Sequence, residues 1–123
     1  MIIRKLSEVE PVEWGNGLSW RLLTKKDGMG YTVTETTVRA GTSSPLEYKN
    51  HLEACYCIAG SGSVIDADGN EHPIVPGTLY ALDKHDPHFL VASPVEDLRL
   101  VCMFTPALEG TEAHDFSQEF SVY

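Results

Sequence analysis

The feature that most constrains this chain is its punctuation. Its 10 glycines and 7 prolines fall between short β-prone runs, and no stretch sustains a helical period. Tyr31–Val38 is rich in Thr and Val and reads as a strand. His51–Ile58 is a second, ended by Gly60-Ser61-Gly62. Ser63–Asp66 leads into a hairpin turn at Asp68-Gly69-Asn70. Thr78–Leu82, His88–Ala92 and Leu98–Phe104 follow as strands, separated by turns at Val75–Gly77 and Lys84–Pro87. Arg21–Leu23 precedes a turn signal at Lys26–Gly30, and Ala40–Pro45 reads as a loop. Short strands with turn signals every ~8–12 residues predict an all-β sandwich or barrel.

A strand's period of two sorts its side chains by face. One face each of four strands carries Thr32, Thr34, Thr36 and Val38; His51, Glu53, Cys55 and Cys57; Thr78, Tyr80 and Leu82; and Leu98, Leu100, Cys102 and Phe104. If these faces line one lumen, it mixes apolar walls with hydroxyl, carboxyl, phenol and thiol groups. A purely structural core rarely holds so many polar groups, because each needs a partner. A small-molecule cavity is the natural use of such an interior.

Composition narrows the partners. A length of 123 residues predicts a single domain over 1–123, with an N-terminal segment 1–20 and a C-terminal tail 106–123 placed to act as a lid. The net charge of -9 repels phosphate backbones and anionic bilayers, which argues against nucleic acid and membranes as partners. No apolar run approaches the ~20 residues of a membrane span, and Met1–Glu8 lacks the apolar core of a secretory signal. Three cysteines, an odd number without a C-x-x-C pair, fit a reducing cytoplasm and make a thiol-only zinc site improbable.

Gly41 to Gly60 has the frame of the first cupin motif: Gly, five residues, a three-residue metal-binding step, three residues, Glu53, six residues, Gly. Glu47 and Lys49 stand where that motif carries its two histidines. In the second motif, Tyr80 stands at the histidine position after Pro76-Gly77. Either the barrel is metal-free, or it uses a rearranged site of Glu53, Tyr80 and a nearby histidine. His88 is the best placed, because hairpin pairing can bring its strand beside that of Tyr80. Two oxygen ligands and one imidazole suit Fe(II) or a similar divalent ion.

Tyr48–Ala54, Pro76–Tyr80 and Leu82–Asp86 with His88 resemble the ectoine synthase family, and Lys26–Gly30, Cys102-x-Phe104 and Glu112-x-His114-Asp115 fit the same pattern. The resemblance runs from about Arg21 to Asp115. It implies a cupin fold (a double-stranded β-helix, or jelly-roll barrel) and a cytoplasmic homodimer. It also implies a metal-dependent hydro-lyase that closes N-γ-acetyl-L-2,4-diaminobutyrate to ectoine with loss of water. The family's iron ligands fall on Glu53, Tyr80 and His88. Its pocket residues fall on Arg21, Thr36, Tyr48, Cys102, Phe104, Glu112 and His114. Tyr80, Tyr48, Glu112 and His114 are the candidate catalytic groups, Tyr80 as ligand or proton relay. Arg21 suits the substrate carboxylate, because guanidinium binds it as a fork.

Several residues have plainer readings. His51 reads as a hydrogen-bonding group of the barrel, His72 and His85 as solvated turn residues, and Trp14 and Trp20 as packing residues. The chain also departs from the family. Gly17 stands where a Trp precedes the pocket Arg by four residues, with neither Trp14 nor Trp20 in register. Ser44–Glu47 replaces a histidine-bearing loop, and the tail after Asp115 lacks the usual glycine-containing ending. These departures motivate two other readings: a related cupin enzyme acting on another N-acylated diamino acid, and a non-catalytic small-molecule binding module.

Overall fold

The computed structural model describes residues 1–117 and 119–123; residue 118, within the expected tail, lies outside the described residues. Among the described residues, eleven strands run in chain order: β1 (Val12–Glu13), β2 (Gly17–Leu23), β3 (Thr32–Val38), β4 (Ser43–Glu47), β5 (Leu52–Ala59), β6 (Gly62–Ile65), β7 (Glu71–Ile74), β8 (Leu79–Leu82), β9 (His88–Ala92), β10 (Leu98–Thr105) and β11 (Ser121–Val122). They form a six-stranded sheet, β1-β2-β3-β10-β5-β8, and a five-stranded sheet, β11-β4-β9-β6-β7. One core joins them: Val38, Cys57 and Leu98 from the first sheet are buried in the same cluster as Leu46, Ile74 and Leu90 from the second. The helical content among the described residues is two short 3-10 turns, Leu6–Glu8 and Lys25–Asp27. The second is closed by Asp27, which accepts the Thr24 N–H at 2.9 Å.

The expected inward faces are the buried ones. Thr32, Thr34 and Val38 of β3, Glu53, Cys55 and Cys57 of β5, and Leu98, Leu100, Cys102 and Phe104 of β10 are all buried, while the residues between them are more exposed. Alternation of this kind fixes register, since a one-residue slip would turn the whole lining outward.

Two expectations change. The Ala40–Pro45 segment is a loop only at its start, for Ser43–Glu47 forms β4. Its partner is the distant β9, which pairs Ser43 through Leu46 with Val91 through His88, so tertiary pairing overrides the weak local signal of Ser, Ser and Pro. In agreement with the expected Asp68–Asn70 hairpin turn, Glu71–Ile74 forms β7, paired to β6. The segment 1–20 already contains β1 and the start of β2, and the 106–123 tail contains β11, which pairs parallel to β4. Finally, β9 does not pair with β8. It pairs with β4 and β6, while β8 pairs with β5, so His88 reaches the lumen from the sheet opposite Tyr80.

Gly60 shows how closely β5 and β10 approach within the six-stranded sheet. Its φ is +76°, and a Cβ there would lie 2.0 Å from the Asp97 carbonyl oxygen. Gly60→Ala therefore combines left-handed strain with a backbone clash, and should destabilise the fold by about 2–4 kcal/mol. Thermal unfolding should show a Tm lower by roughly 10 °C or more; an unchanged Tm would contradict the close packing.

Candidate active site

Period-two alternation also decides what the cupin frame delivers. On β4 the inward residues are even-numbered: Ser44 and Leu46 are buried, and Tyr48 just beyond the strand is 4% exposed. Glu47 and Lys49 are out of phase with that face. They pair with each other at 3.9 Å, with the Lys49 side chain largely in solvent. The position between the two expected histidines thus supplies the inward group, a phenol. On β5 the odd residues face in, placing Glu53 and Cys55 in the lumen. Cys55 lies opposite Tyr80 of β8 and Cys102 of β10.

These side chains surround a cavity of about 30 Å³. Arg21, Thr36, Tyr48, Glu53, Tyr80, Cys102 and Phe104, all expected site residues, line it. His88 lies against the Tyr48 ring, with centroids 6.2 Å apart, and shares an adjoining pocket of about 380 Å³ with Tyr80. Glu112 and His114 are one step removed. Glu112 accepts the N–H groups of Glu109 and Gly110 at 2.8 and 2.9 Å and faces Arg21 at 3.7 Å. His114 Nε2 meets the Tyr48 phenol at 3.1 Å.

Among the described residues, two buried side-chain polar atoms lack a hydrogen-bond partner: Arg21 Nη1 and His88 Nε2. Arg21 is 6% exposed, and its Nε donates to Ser19 Oγ at 3.2 Å. The 3.7 Å separation from Glu112 is beyond hydrogen-bond reach, which leaves a buried cation facing the cavity with donor capacity unused. His88 is 2% exposed. Its Nδ1–H donates to the Asp86 carbonyl at 2.9 Å, so the orphaned Nε2 carries a lone pair. An imidazole pinned by a backbone carbonyl with its other nitrogen bare is how metal-binding histidines are held.

Burial sets the protonation states. It pushes the Glu53 carboxyl and the Tyr48 and Tyr80 phenols well above their ordinary ranges, and it lowers His88. A carboxyl, a phenol and an imidazole are donor types suited to a divalent cation. The Glu53 carboxylate and the thiols of Cys55 and Cys102 also lie within 4.8 Å of one another, so sulfur stands beside the oxygen donors; His88 does not join that cluster.

Residues not expected at the site include Trp14 and Tyr123, which both line the cavity. Trp14 Nε1 donates to the Thr37 carbonyl at 3.1 Å. A Cβ on Gly17 would lie 1.8 Å from that same oxygen. Any side chain at 17 would collide with β3, and the indole enters from three residues earlier instead. Tyr123 arrives by the tail folding back, its ring 4.1 Å from that of His114; no local pattern announces it. Ser44 accepts from Asn16 Nδ2 at 2.7 Å, so the altered Ser44–Glu47 stretch is part of the barrel wall. His51 donates to the Pro106 carbonyl at 2.7 Å, within the barrel as expected. His85 is exposed yet not merely solvated: at φ +56° it donates to the Tyr48 carbonyl at 2.7 Å and clamps the end of β4.

Burial, with His88 and Arg21 nearby, lowers the His114 pKa to about 3. The free imidazole titrates near 6.5, so as pH falls the unfolded chain takes up the proton first. The stability contributed by neutral His114 is complete above ~6.5 and is lost progressively toward about 3. Urea denaturation across that window should show the decline, and His114→Gln should flatten it. An equal slope in both proteins would contradict a buried neutral imidazole.

The sequence profile of the ectoine synthase family matches residues 1–123. The L-ectoine synthase of Desulfatibacillum aliphaticivorans is 50% identical over 122 residues, covering 94% of this chain and 92% of that protein. The crystal structure of ectoine synthase from P. lautus superposes with a TM-score of 0.85 at 42% identity, over 89% of this chain and 81% of that one. A Cupin 2 conserved barrel domain protein from Salinispora arenicola CNS-205 shares the fold, with a TM-score of 0.68 at 19% identity over 85% of this chain and 88% of that chain. The barrel is a cupin, and the chain belongs to the ectoine synthase family.

Proposed function

We propose that this chain is an ectoine-forming hydro-lyase, in which the α-amine of N-γ-acetyl-L-2,4-diaminobutyrate attacks its own acetamide carbonyl and water is lost. The observation that carries this reading is the pair of unpartnered buried atoms, Arg21 Nη1 and His88 Nε2, within a family whose relatives are named L-ectoine synthase. Arg21 takes the substrate carboxylate as a charge-assisted fork, which fixes the amine end. The aromatic wall of Trp14, Phe104 and Tyr123 holds the chain folded, so amine and carbonyl meet at effective molarities that water cannot supply. The same wall excludes bulk water, which favours the dehydrated ring. Tyr48 is placed as the proton donor to the departing oxygen, with His114 behind it. Thr36 and Cys102 bound the side of the cavity next to Glu53.

Glu53, Tyr80 and His88 are the residues that would hold a divalent cation, Fe(II) by donor type. Bound there, the cation supplies Lewis acidity to the carbonyl oxygen. The bare His88 Nε2 and the countercharge-free Glu53 carboxyl fit that role. A space of about 30 Å³ holds a few waters and not an acetylated diamino acid. The 106–123 tail therefore acts as a lid, and Tyr123 with β11 swings away for entry. We place the protein in the cytoplasm, in keeping with three free cysteines; no described helix is long and apolar enough to cross a membrane. The outer face of the six-stranded sheet exposes Leu52, Tyr56, Ile58, Leu79 and Met103. An apolar sheet face of this kind suits a homodimer.

Three outcomes are expected. Protein reconstituted with Fe(II) and supplied with the acetylated diamino acid should yield ectoine by NMR; no product from folded, iron-loaded protein would overturn the reading. Glu53→Ala should lose both stoichiometric metal, measured by elemental analysis, and activity, whereas Arg21→Ala should keep the metal and raise KM by about 10- to 100-fold. Light scattering should report a dimer that Tyr56→Glu splits; a monomeric parent protein would remove the interface.

A further inference from the structure

Ser121 lies in β11 and is 1% exposed. Its Oγ accepts the Asp115 N–H at 2.7 Å and lies 2.7 Å from His114 Nδ1. A serine hydroxyl has one hydrogen to donate, and a buried O–H left without an acceptor costs about 1–3 kcal/mol. Among the described residues, Nδ1 is the acceptor within reach, so the hydroxyl donates to it. A neutral imidazole carries a single N–H. With Nδ1 accepting, that hydrogen sits on Nε2, 3.1 Å from the Tyr48 oxygen, and Nε2–H donates to the phenol. The hydrogen bonds then run in one direction: Asp115 N–H to Ser121, Ser121 to His114, His114 to Tyr48. The phenolic hydrogen of Tyr48 is then directed to the cavity side, where the Tyr123 hydroxyl is its neighbour until substrate enters.

We propose that Ser121 is a positioning residue for the dehydration: it holds His114 as the Nε2–H tautomer, and so makes Tyr48 present its O–H to the leaving oxygen. This rests on the ring-closing reaction proposed above. As the carbon–oxygen bond breaks with its electron pair, the Tyr48 proton completes the departing water, and the ring nitrogen's lone pair forms the C=N bond. The Nε2–H of His114 stabilises the phenolate meanwhile. The phenol is restored by one of the two protons that the attacking amine sheds, so the water consists of the amide oxygen and two amine hydrogens. The tail that covers the cavity thereby also sets the proton donor. When β11 is away, Ser121 is away, and Tyr48 is aimed only after the lid has closed on substrate.

The test is a tautomer measurement on the intact, substrate-free protein. In protein labelled with 15N histidine, long-range proton–nitrogen correlation should show His114 with a protonated Nε2 and a bare Nδ1. Ser121→Ala should move the proton to Nδ1 or mix the two forms, and lower kcat by about tenfold or more with KM little changed. Ser121→Thr, which keeps the hydroxyl, should restore both. A protonated Nδ1 in the unaltered protein overturns the proposal, and so does a folded Ser121→Ala protein with unchanged kcat. If the Nε2–H tautomer is found but no ectoine forms, the substrate reading fails while the hydrogen-bond assignment stands.

Discussion

The cost of burying polar atoms without partners governs this barrel. Inside a closed sheet an unpaired donor or acceptor costs about 1–3 kcal/mol, and more if charged. The chain nevertheless leaves Arg21 Nη1 and His88 Nε2 without hydrogen bonds, and holds Glu53 where burial pushes its carboxyl up. Elsewhere it avoids such costs. Thr34 and Thr36 bond to each other at 2.9 Å, Thr32 accepts the Leu108 N–H at 2.8 Å, and Asn16 donates to Ser44 at 2.7 Å. Arg21 lines the cavity and His88 the pocket that shares Tyr80 with it; under the proposed function, an anionic substrate and a cation are the partners they lack.

Two sheets share the work. The six-stranded sheet brings Arg21, Thr36, Glu53, Tyr80, Cys102 and Phe104 to the lumen, and the five-stranded sheet brings His88. Neither sheet alone carries all three donors of the proposed metal site. The tail adds His114, Ser121 and Tyr123 over the mouth, tied by β11 to β4 just before Tyr48. The chain's last strand and the ring of Tyr48 are therefore packed as one unit. The aromatic rings make it cohesive, with Tyr123 packed edge-on to Tyr48 at 5.1 Å.

Much of this was legible beforehand. The strands of highest β-propensity, β3, β5, β9 and β10, were each readable to within one residue at either end, and their inward faces followed from alternation. Glu53, Tyr80 and His88 followed from the cupin frame combined with the family pattern. What stayed hidden was whatever depends on distant pairing. Ser43–Glu47 reads locally as a loop and is a strand because β9 completes it. His88 looked like a hairpin neighbour of Tyr80 and instead faces it across the lumen. Trp14 packs in the core as expected and is also a cavity wall, because the Thr37 carbonyl occupies the space that a side chain at 17 would need.

The sequence by itself determined the all-β class and the inward faces, and with them which side chains line the lumen, because period two and turn residues act over a few neighbours. Only the tertiary structure decided which sheet each donor stands on, which polar atoms are left unpaired, and that the last residues fold back to cover them. Those outcomes depend on excluded volume and hydrogen-bond partners supplied from tens of residues away, which no local pattern encodes.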